Sequence, residues 1–409
     1  MKKNIILIGL QYDTNLGDQV IFKASKEYLS RALIKEGLTE VEIREVDMTG
    51  REEIGKNATR KKCRELFRFQ KFEAITRNYH HISERYLDYL TAHTHIRKYV
   101  DNNTIAIIFA GGGLLKYKVQ NLPVFIDEVT KIASSKNIPV MFSSVGVEGF
   151  DKHDKHCLQL KRALNRSVVK SITTRDDIVT LNSFYRTKGQ KTACVADPAC
   201  AINTIFPFVK KRNGLVKTIG LGFVREDLFE EYGVDIQPND LLKLWADLFT
   251  MLLERGYKCK VFCNGAKNEY SFIIKWAEYM GFTEEQKEEI ILKRPETAEE
   301  LVKTICCFDG LIVARLHASI IAYSYSIPFA ALVWNKKQVF FGKKIGYPER
   351  FIEKDNINSE YIISVLEQAI KDGYSDADRE AYCKTTETEL HTFIKNYIVP
   401  AVYGNKELI

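Results

Sequence analysis

The apolar residues of this chain fall into short, nearly continuous runs separated by stretches of helical period. Runs at Asn4 to Gly9, Val41 to Val46, Ile105 to Ala110, Val140 to Val145 and Ser171 to Thr174 have the length and unbroken apolarity of strands buried on both faces. Between them, three-to-four-residue spacing predicts helices over Val20 to Leu33, Ser83 to Tyr99, Val124 to Ser135, Asp154 to Asn165 and Asp177 to Phe184. A second series places strands at Thr218 to Phe223, Lys258 to Cys263, Glu289 to Leu292, Gly310 to Val313 and Phe329 to Val333. Its helices are expected at Asp240 to Arg255, Glu269 to Tyr279, Thr297 to Cys306 and Ala318 to Tyr325. Pro207 and the basic stretch Lys210-Lys211-Arg212-Asn213-Gly214 interrupt both periods between the two series.

Alternation of strand and helix is the signature of doubly wound parallel sheets. The expected architecture is α/β, with two Rossmann-like domains facing each other across a cleft. The first covers residues 1–208 and the second 209–380. Two tail helices are expected at Ile362 to Ile370 and Asp378 to Tyr397, and the segment 381–409 is expected to cross back onto the first domain. Neither a solenoid-period repeat nor a low-complexity segment interrupts this reading.

Composition narrows the class. With 409 residues, 45% hydrophobic and 11% aromatic, the chain can bury two ordinary cores. No apolar stretch approaches the roughly 18 residues of a membrane span. The start, Met1-Lys2-Lys3 followed by Asn4 to Leu10, reads as a first strand and not as a signal peptide, because the apolar run is short and lacks a cleavage-like site. Nine cysteines at irregular spacing point to reduced thiols and a cytoplasmic location. Cys259 and Cys263 are the nearest approach to a metal pair, no second pair follows, and no metal or cofactor is expected. A net charge of +7 suits an acidic small substrate and is too diffuse for nucleic acid. Arg60, Lys61, Lys62, Arg64, Arg68 and Lys71 interleave with Leu66, Phe67, Phe69 and Phe72. Two readings stand for this segment: a surface helix packing its aromatics inward, or a peripheral contact with the inner membrane face or a lipid-linked acceptor.

The candidate chemistry lies where strands end, because open α/β sheets bind ligands at the carboxyl ends of their strands. Gly9 to Asp18 follows the first strand; Gly17 suits a tight turn, and Asn15 and Asp18 can cap the next helix or reach a sugar hydroxyl. Gly111-Gly112-Gly113 follows another apolar run and leaves backbone N–H groups open for an anion, with Lys116 just beyond. Tight packing against a helix would explain the same glycines. Glu148 after Ser143 to Gly146, and Arg175 beside Asp176 and Asp177, are further polar residues at strand ends. Arg175 either faces the cleft or pairs with one of those aspartates. In the second series Arg225 ends the first strand, and Arg315-Leu316-His317 leaves an inner one. A guanidinium suits two-pronged recognition of carboxylate or phosphate, and an imidazole beside it can exchange a proton near neutral pH.

Asn15-Leu16-Gly17-Asp18, Gly111-Gly112-Gly113, Ser144-Val145-Gly146, Thr174-Arg175-Asp176-Asp177, Asp197-Pro198 and Arg315-Leu316-His317-Ala318 occur in an order that resembles the polysaccharide pyruvyl transferase family. The resemblance runs from the first strand to about Tyr347. It implies a GT-B-like fold, phosphoenolpyruvate as donor, and as acceptor a hexose such as galactose or N-acetylmannosamine in a bacterial surface polysaccharide or its lipid-linked precursor. It further implies that Arg315, Leu316 and His317 hold the donor, with Arg225 by position, and that His317 is catalytic. The strand-end residues themselves add Gly112 and Gly113 on the donor, Asp18 as a second catalytic group, and Asn15, Asp18, Lys116, Glu148 and Arg175 for the acceptor. Two alternatives stand beside it: a nucleotide-sugar glycosyltransferase of the same fold, and a glycan-binding protein without chemistry.

Overall fold

The computed structural model describes residues 2–69, 80–117, 122–186, 189, 191–208 and 218–404. It divides into two compact units. The first comprises Met1–Asp13, Ile21–Pro198 and Cys383–Ile409, and the second Thr14–Val20 and Ala199–Tyr382. Lys71 and Phe72, and the break at 209–215, lie outside the described residues, as do the side chains of Leu66, Phe67, Arg68 and Phe69.

In the first unit the chain runs β1 (Asn4–Gly9), α1 (Leu16–Lys35, of which Leu16–Val20 belongs to the second unit), β2 (Glu42–Asp47), α2 (Ala58–Phe69), α3 (His80–Arg97), β3 (Thr104–Phe109) and β4 (Gly112–Leu115). It continues through α4 (Leu122–Ser135), β5 (Val140–Val147), α5 (Lys155–Leu164), β6 (Val169–Thr174) and β7 (Lys191–Cys194). Among the described residues the sheet is seven-stranded, ordered β2-β1-β3-β5-β6-β7, with β4 also pairing β5. Its pairings are parallel. Every residue of β1, β3 and β5 is buried, which is why these strands read as unbroken apolar runs. Phe109 and Phe142 stack at 4.2 Å across β3 and β5. On α2, Thr59 and Cys63 are buried while Lys61, Lys62 and Arg64 are exposed, and Arg60 pairs with Asp88 and, at 2.6 Å, with Glu84 of α3.

The second unit begins with β8 (Thr218–Phe223), α6 (Pro238–Glu254), β9 (Lys258–Cys263), α7 (Lys267–Tyr279), α8 (Glu284–Ile290) and α9 (Ala298–Cys306). Then come β10 (Gly310–Val313), α10 (Leu316–Ser324), β11 (Phe329–Leu332), α11 (Lys336–Ile345), β12 (Phe351–Ile352) and α12 (Ser359–Asp372). Its parallel sheet is ordered β12-β11-β10-β8-β9. Phe223 at the end of β8 stacks on Trp245 of α6 at 4.4 Å and meets Trp276 of α7 edge-on at 5.2 Å, so aromatic packing fixes the strand end. A Cβ on Gly220 would come within 2.5 Å of Phe308, and one on Gly222 within 2.9 Å of Phe262, so β8, an inner strand, carries glycine where aromatics pack on it.

The strand expected at Glu289 to Leu292 is a correction. Thr283 and Gln286 form a reciprocal capping box, Glu284 and Glu285 fill the first turn, and the helix runs to Ile290; only Ile291 bridges to Val261 of β9. A strong helix start outweighs two adjacent isoleucines. The short strands β4, β7 and β12 and the helix α11 were not expected. The last long helix, α13 (Asp376–Phe393), passes from the second unit to the first at Cys383. Within the first unit Thr386 donates to Ala196 O at 2.7 Å, and Ala196 N to Thr385 Oγ1 at 2.9 Å.

Among the described residues no helix is long and apolar enough to cross a membrane. Among the described residues none of the nine cysteines is in a disulfide, and six of them are buried. Burial pushes the Cys259 thiol, and burial with the nearby Glu269 carboxylate the Cys263 thiol, up to about 12 from the ordinary 9.0. In the unfolded chain these thiols ionise first, so the stability present below about pH 9 is lost as pH rises towards 12. The guanidinium-induced unfolding midpoint should therefore fall between pH 9 and 11, and fall less in a Cys259→Val/Cys263→Val variant; equal falls would contradict this burial.

Candidate functional site

Each sheet changes winding direction once. In the first the chain moves from β1 to β2 on one side and returns to β3 on the other; in the second it moves from β8 to β9 and returns to β10. Such a switch point leaves room beyond the carboxyl ends of the two strands involved. Arg225 follows β8, and Arg315, Leu316 and His317 follow β10, so in the second unit these residues flank its switch point.

The exit from β10 is held firmly. Ala314 O accepts hydrogen bonds from Trp334 Nε1 at 2.6 Å and from the buried Gln338 Nε2 at 3.0 Å. Arg315 then takes an extended conformation as the N-cap of α10, but its side chain makes no capping bond. Instead its Nε pairs with Glu269 Oε1, and the guanidinium lies 5.9 Å from the Trp334 ring. Glu269, in the first turn of α7, is 1% exposed, and its other oxygen accepts Asn264 N at 3.1 Å. Among the described residues no protein group engages the terminal nitrogens of Arg315, whose side chain is 25% exposed. The α10 N-terminus adds partial positive charge beside that fork.

His317, 8% exposed in the first turn of α10, packs on Gly17. A Cβ built at Gly17 would stand 2.1 Å from His317 Nδ1 and 2.4 Å from its Cγ. Gly17 is therefore required for the close approach of the imidazole; its φ is not positive, so the tight turn expected from sequence is not the reason. Next to it, Leu16 lies against Gly265, where a Cβ would come within 2.5 Å of Leu16 Cδ1. Gly265, at φ +104°, is also held by Arg294 Nη1, which donates to its carbonyl at 2.8 Å. Asn15 shapes the start of α1: its Oδ1 accepts Gly17 N at 3.2 Å and its Nδ2 donates to Asp18 Oδ2 at 2.8 Å. Thus Asn15, Asp18, Arg315, Leu316 and His317 belong to one cluster within the second unit, although nearly 300 residues separate them in sequence.

Arg225 is differently placed. Both of its terminal nitrogens are taken by carboxylates of its own loop, Nη1 by Asp227 at 2.6 Å and Nη2 by Glu231.

In the first unit Lys116 and Glu148 come together at 3.5 Å, just beyond β4 and β5. Gly112 and Gly113 open β4, which pairs β5 through Gly112 with Val145, so the glycine run forms a strand where an open loop was expected. A Cβ on Gly111 would meet Ile21 at 2.8 Å and Ser144 O at 3.1 Å; close packing accounts for that glycine. Arg175, 7% exposed, pairs with Asp197 and with neither of its aspartate neighbours. Asp176 instead accepts Val147 N at 2.8 Å and Asp177 N at 2.8 Å, tying the ends of β5 and β6 together.

Glu269, Asn264 and Trp334 were missed in the sequence. Cys263-Asn264-Gly265 ends a strand that had been recognised, and applying the strand-end rule there would have found the loop. Nothing local marks Glu269, which reads as an ordinary first-turn acid.

A family model described as polysaccharide pyruvyl transferase matches residues 15–336, more than half of the chain. No curated protein matches it by sequence. Among solved structures it is similar to UDP-GlcNAc 2-epimerase from Methanocaldococcus jannaschii, with a TM-score of 0.58, 12% identity and coverage of 97% of this chain and 100% of that one. UDP-GlcNAc 2-epimerase from Neisseria meningitidis gives 0.53 at 10% identity, covering 97% and 100%. A glycosyltransferase from Rickettsia africae gives 0.50 at 12% identity, covering 99% and 100%. At such identities the likeness shows the fold alone, and that fold is GT-B-like.

A Gly17→Ala substitution should displace the His317 ring and destabilise the protein by about 1–3 kcal/mol, the usual range for overpacking. Thermal melting checks this; an unchanged melting temperature with an unmoved histidine in a crystal structure of the variant would contradict it.

Proposed function

The chain belongs to the polysaccharide pyruvyl transferase family, and on that premise we propose that it forms a pyruvate ketal on a sugar of a bacterial surface polysaccharide or its lipid-linked precursor, with phosphoenolpyruvate as donor. The observation that carries this reading is the state of Arg315. Its Nε is tied to a buried carboxylate while its terminal nitrogens have no protein partner among the described residues, and a histidine lies two residues on. That fork matches a planar carboxylate or a phosphate, the two anionic groups of the donor.

The reaction consumes two acceptor hydroxyls. Both oxygens bond to the enol carbon, the C–O bond to phosphate breaks, one hydroxyl proton ends on the methylene carbon to make the methyl group, and the other leaves with hydrogen phosphate. Arg315 holds the donor and offsets the charge of the departing phosphate. His317 moves a proton, taking it from the attacking hydroxyl or delivering it to the leaving group. Asp18, adjoining the glycine that touches His317, orients the acceptor with Asn15. Lys116, Glu148 and Arg175, with Gly112 and Gly113, are proposed contributions from the first unit. Arg225 serves the donor only if it exchanges its carboxylate partners for it.

Incubation with phosphoenolpyruvate and a panel of simple and lipid-linked glycosides should give a product carrying the mass of an added pyruvyl ketal, with phosphate released in equal amount. His317→Ala should lower turnover by about 100- to 10,000-fold, the usual worth of a positioned acid or base. Arg315→Lys should weaken donor binding by roughly 10- to 100-fold, as expected for a lost hydrogen bond to a charged group. Thermal stabilisation by uridine diphosphate and none by phosphoenolpyruvate would replace this reading with a nucleotide-sugar glycosyltransferase.

A further inference from the structure

Arg175, Arg225 and Arg315 follow the strands β6, β8 and β10, and each is neutralised differently. Arg175 gives a terminal nitrogen to Asp197, and Arg225 gives both of its terminal nitrogens to Asp227 and Glu231. Arg315 alone of the three is held through Nε. The position of the contact decides what remains available: a guanidinium gripped at its terminal edge has spent its two-pronged face, whereas one gripped at Nε presents that face outward.

We infer that Glu269 is a positioning residue that selects this orientation of Arg315, holding Nε so that the two terminal nitrogens face the anionic donor. The inference rests on the function proposed above and deepens it. Glu269 does not touch the donor; it acts through Arg315. Its own geometry is fixed on two sides. Oε2 accepts the backbone N–H of Asn264 at 3.1 Å, which ties the carboxylate to the end of β9, and Glu269 N donates to Asn268 Oδ1 at 3.0 Å at the start of α7. At 1% exposure the carboxylate cannot turn into solvent, and its remaining oxygen has Arg315 Nε as partner. Arg315, by contrast, is a long side chain with a quarter of its surface in water and only the Trp334 ring at 5.9 Å on its other side. Without the tether it would lose the fixed plane on which two-pronged recognition depends.

Glu269→Gln tests this selectively. The amide oxygen can still accept Asn264 N–H, but the remaining amide nitrogen then presents donors to the Arg315 Nε–H, and only the tether is lost. The variant should raise the KM for phosphoenolpyruvate about 10-fold with the acceptor KM unchanged within about 2-fold. In an Arg315→Lys background, which has no Nε, adding Glu269→Gln should cost less than about 2-fold more; effects that simply multiply would overturn the positioning role. An unchanged donor KM in Glu269→Gln would overturn it too. As a check independent of the variant's folding, the Arg315 Nε–H of ¹⁵N-arginine-labelled wild-type protein should exchange slowly with solvent, and rapid exchange would contradict the pairing. Failure of the wild-type protein to bind phosphoenolpyruvate would sink the proposed function and this inference together, whereas normal donor binding with an indifferent Glu269→Gln would sink the inference alone.

Discussion

A parallel strand buried on both faces can offer polar side chains only at its ends. β10 obeys this strictly: Gly310 to Val313 are fully enclosed, and the first polar side chain after them is Arg315. The hydrogen bonds that Ala314 O accepts from Trp334 and Gln338 anchor the chain at that exit, and α10 begins at Leu316, with Arg315 as its N-cap. Everything placed at the site follows from this geometry. Arg315 reaches sideways to Glu269 in the first turn of α7, and His317 packs onto Gly17. Rigid elements thus supply the positions, and short side-chain contacts supply the aim.

The chemistry asks for an unequal use of positive charge. Among the described residues many cations are paired with acids through their terminal nitrogens, including Arg60 on α2 and Arg225 after β8. Arg315 is paired as well, yet by the one nitrogen whose loss leaves its binding face intact. Pairing with a buried carboxylate costs net charge but fixes orientation, and for the donor proposed here, small and with two anionic groups, orientation is the scarcer quantity. The likeness to sugar-nucleotide epimerases and to a glycosyltransferase reflects two wound sheets shared by many chemistries, and the site, not the fold, separates them.

Much of this was legible in the sequence. β1, β8, β9 and β10 coincide with their expected limits because unbroken apolar runs between turn residues have few other readings. The loop ends carrying Asp18, Arg315 and His317 followed directly. What escaped was either short or distant. β4 is two glycines and two leucines, and β12 is two residues, so neither has a period to detect. Glu289 to Leu292 misled because local capping, at Thr283 and Gln286, governs the segment. The partners Glu269 for Arg315 and Asp197 for Arg175 lie 46 and 22 residues from them, where no spacing rule reaches. Gly17 was noticed for the wrong property: its lack of a side chain matters, and its backbone freedom does not.

The central claim is that the outward fork of Arg315, beside His317, is where the donor's negative charge is received. A crystal structure of the protein with bound phosphoenolpyruvate tests it most directly. The account predicts a carboxylate or phosphate oxygen within hydrogen-bond distance of at least one terminal nitrogen of Arg315, with its Nε still on Glu269. A donor bound elsewhere, with that fork left in water, would contradict it.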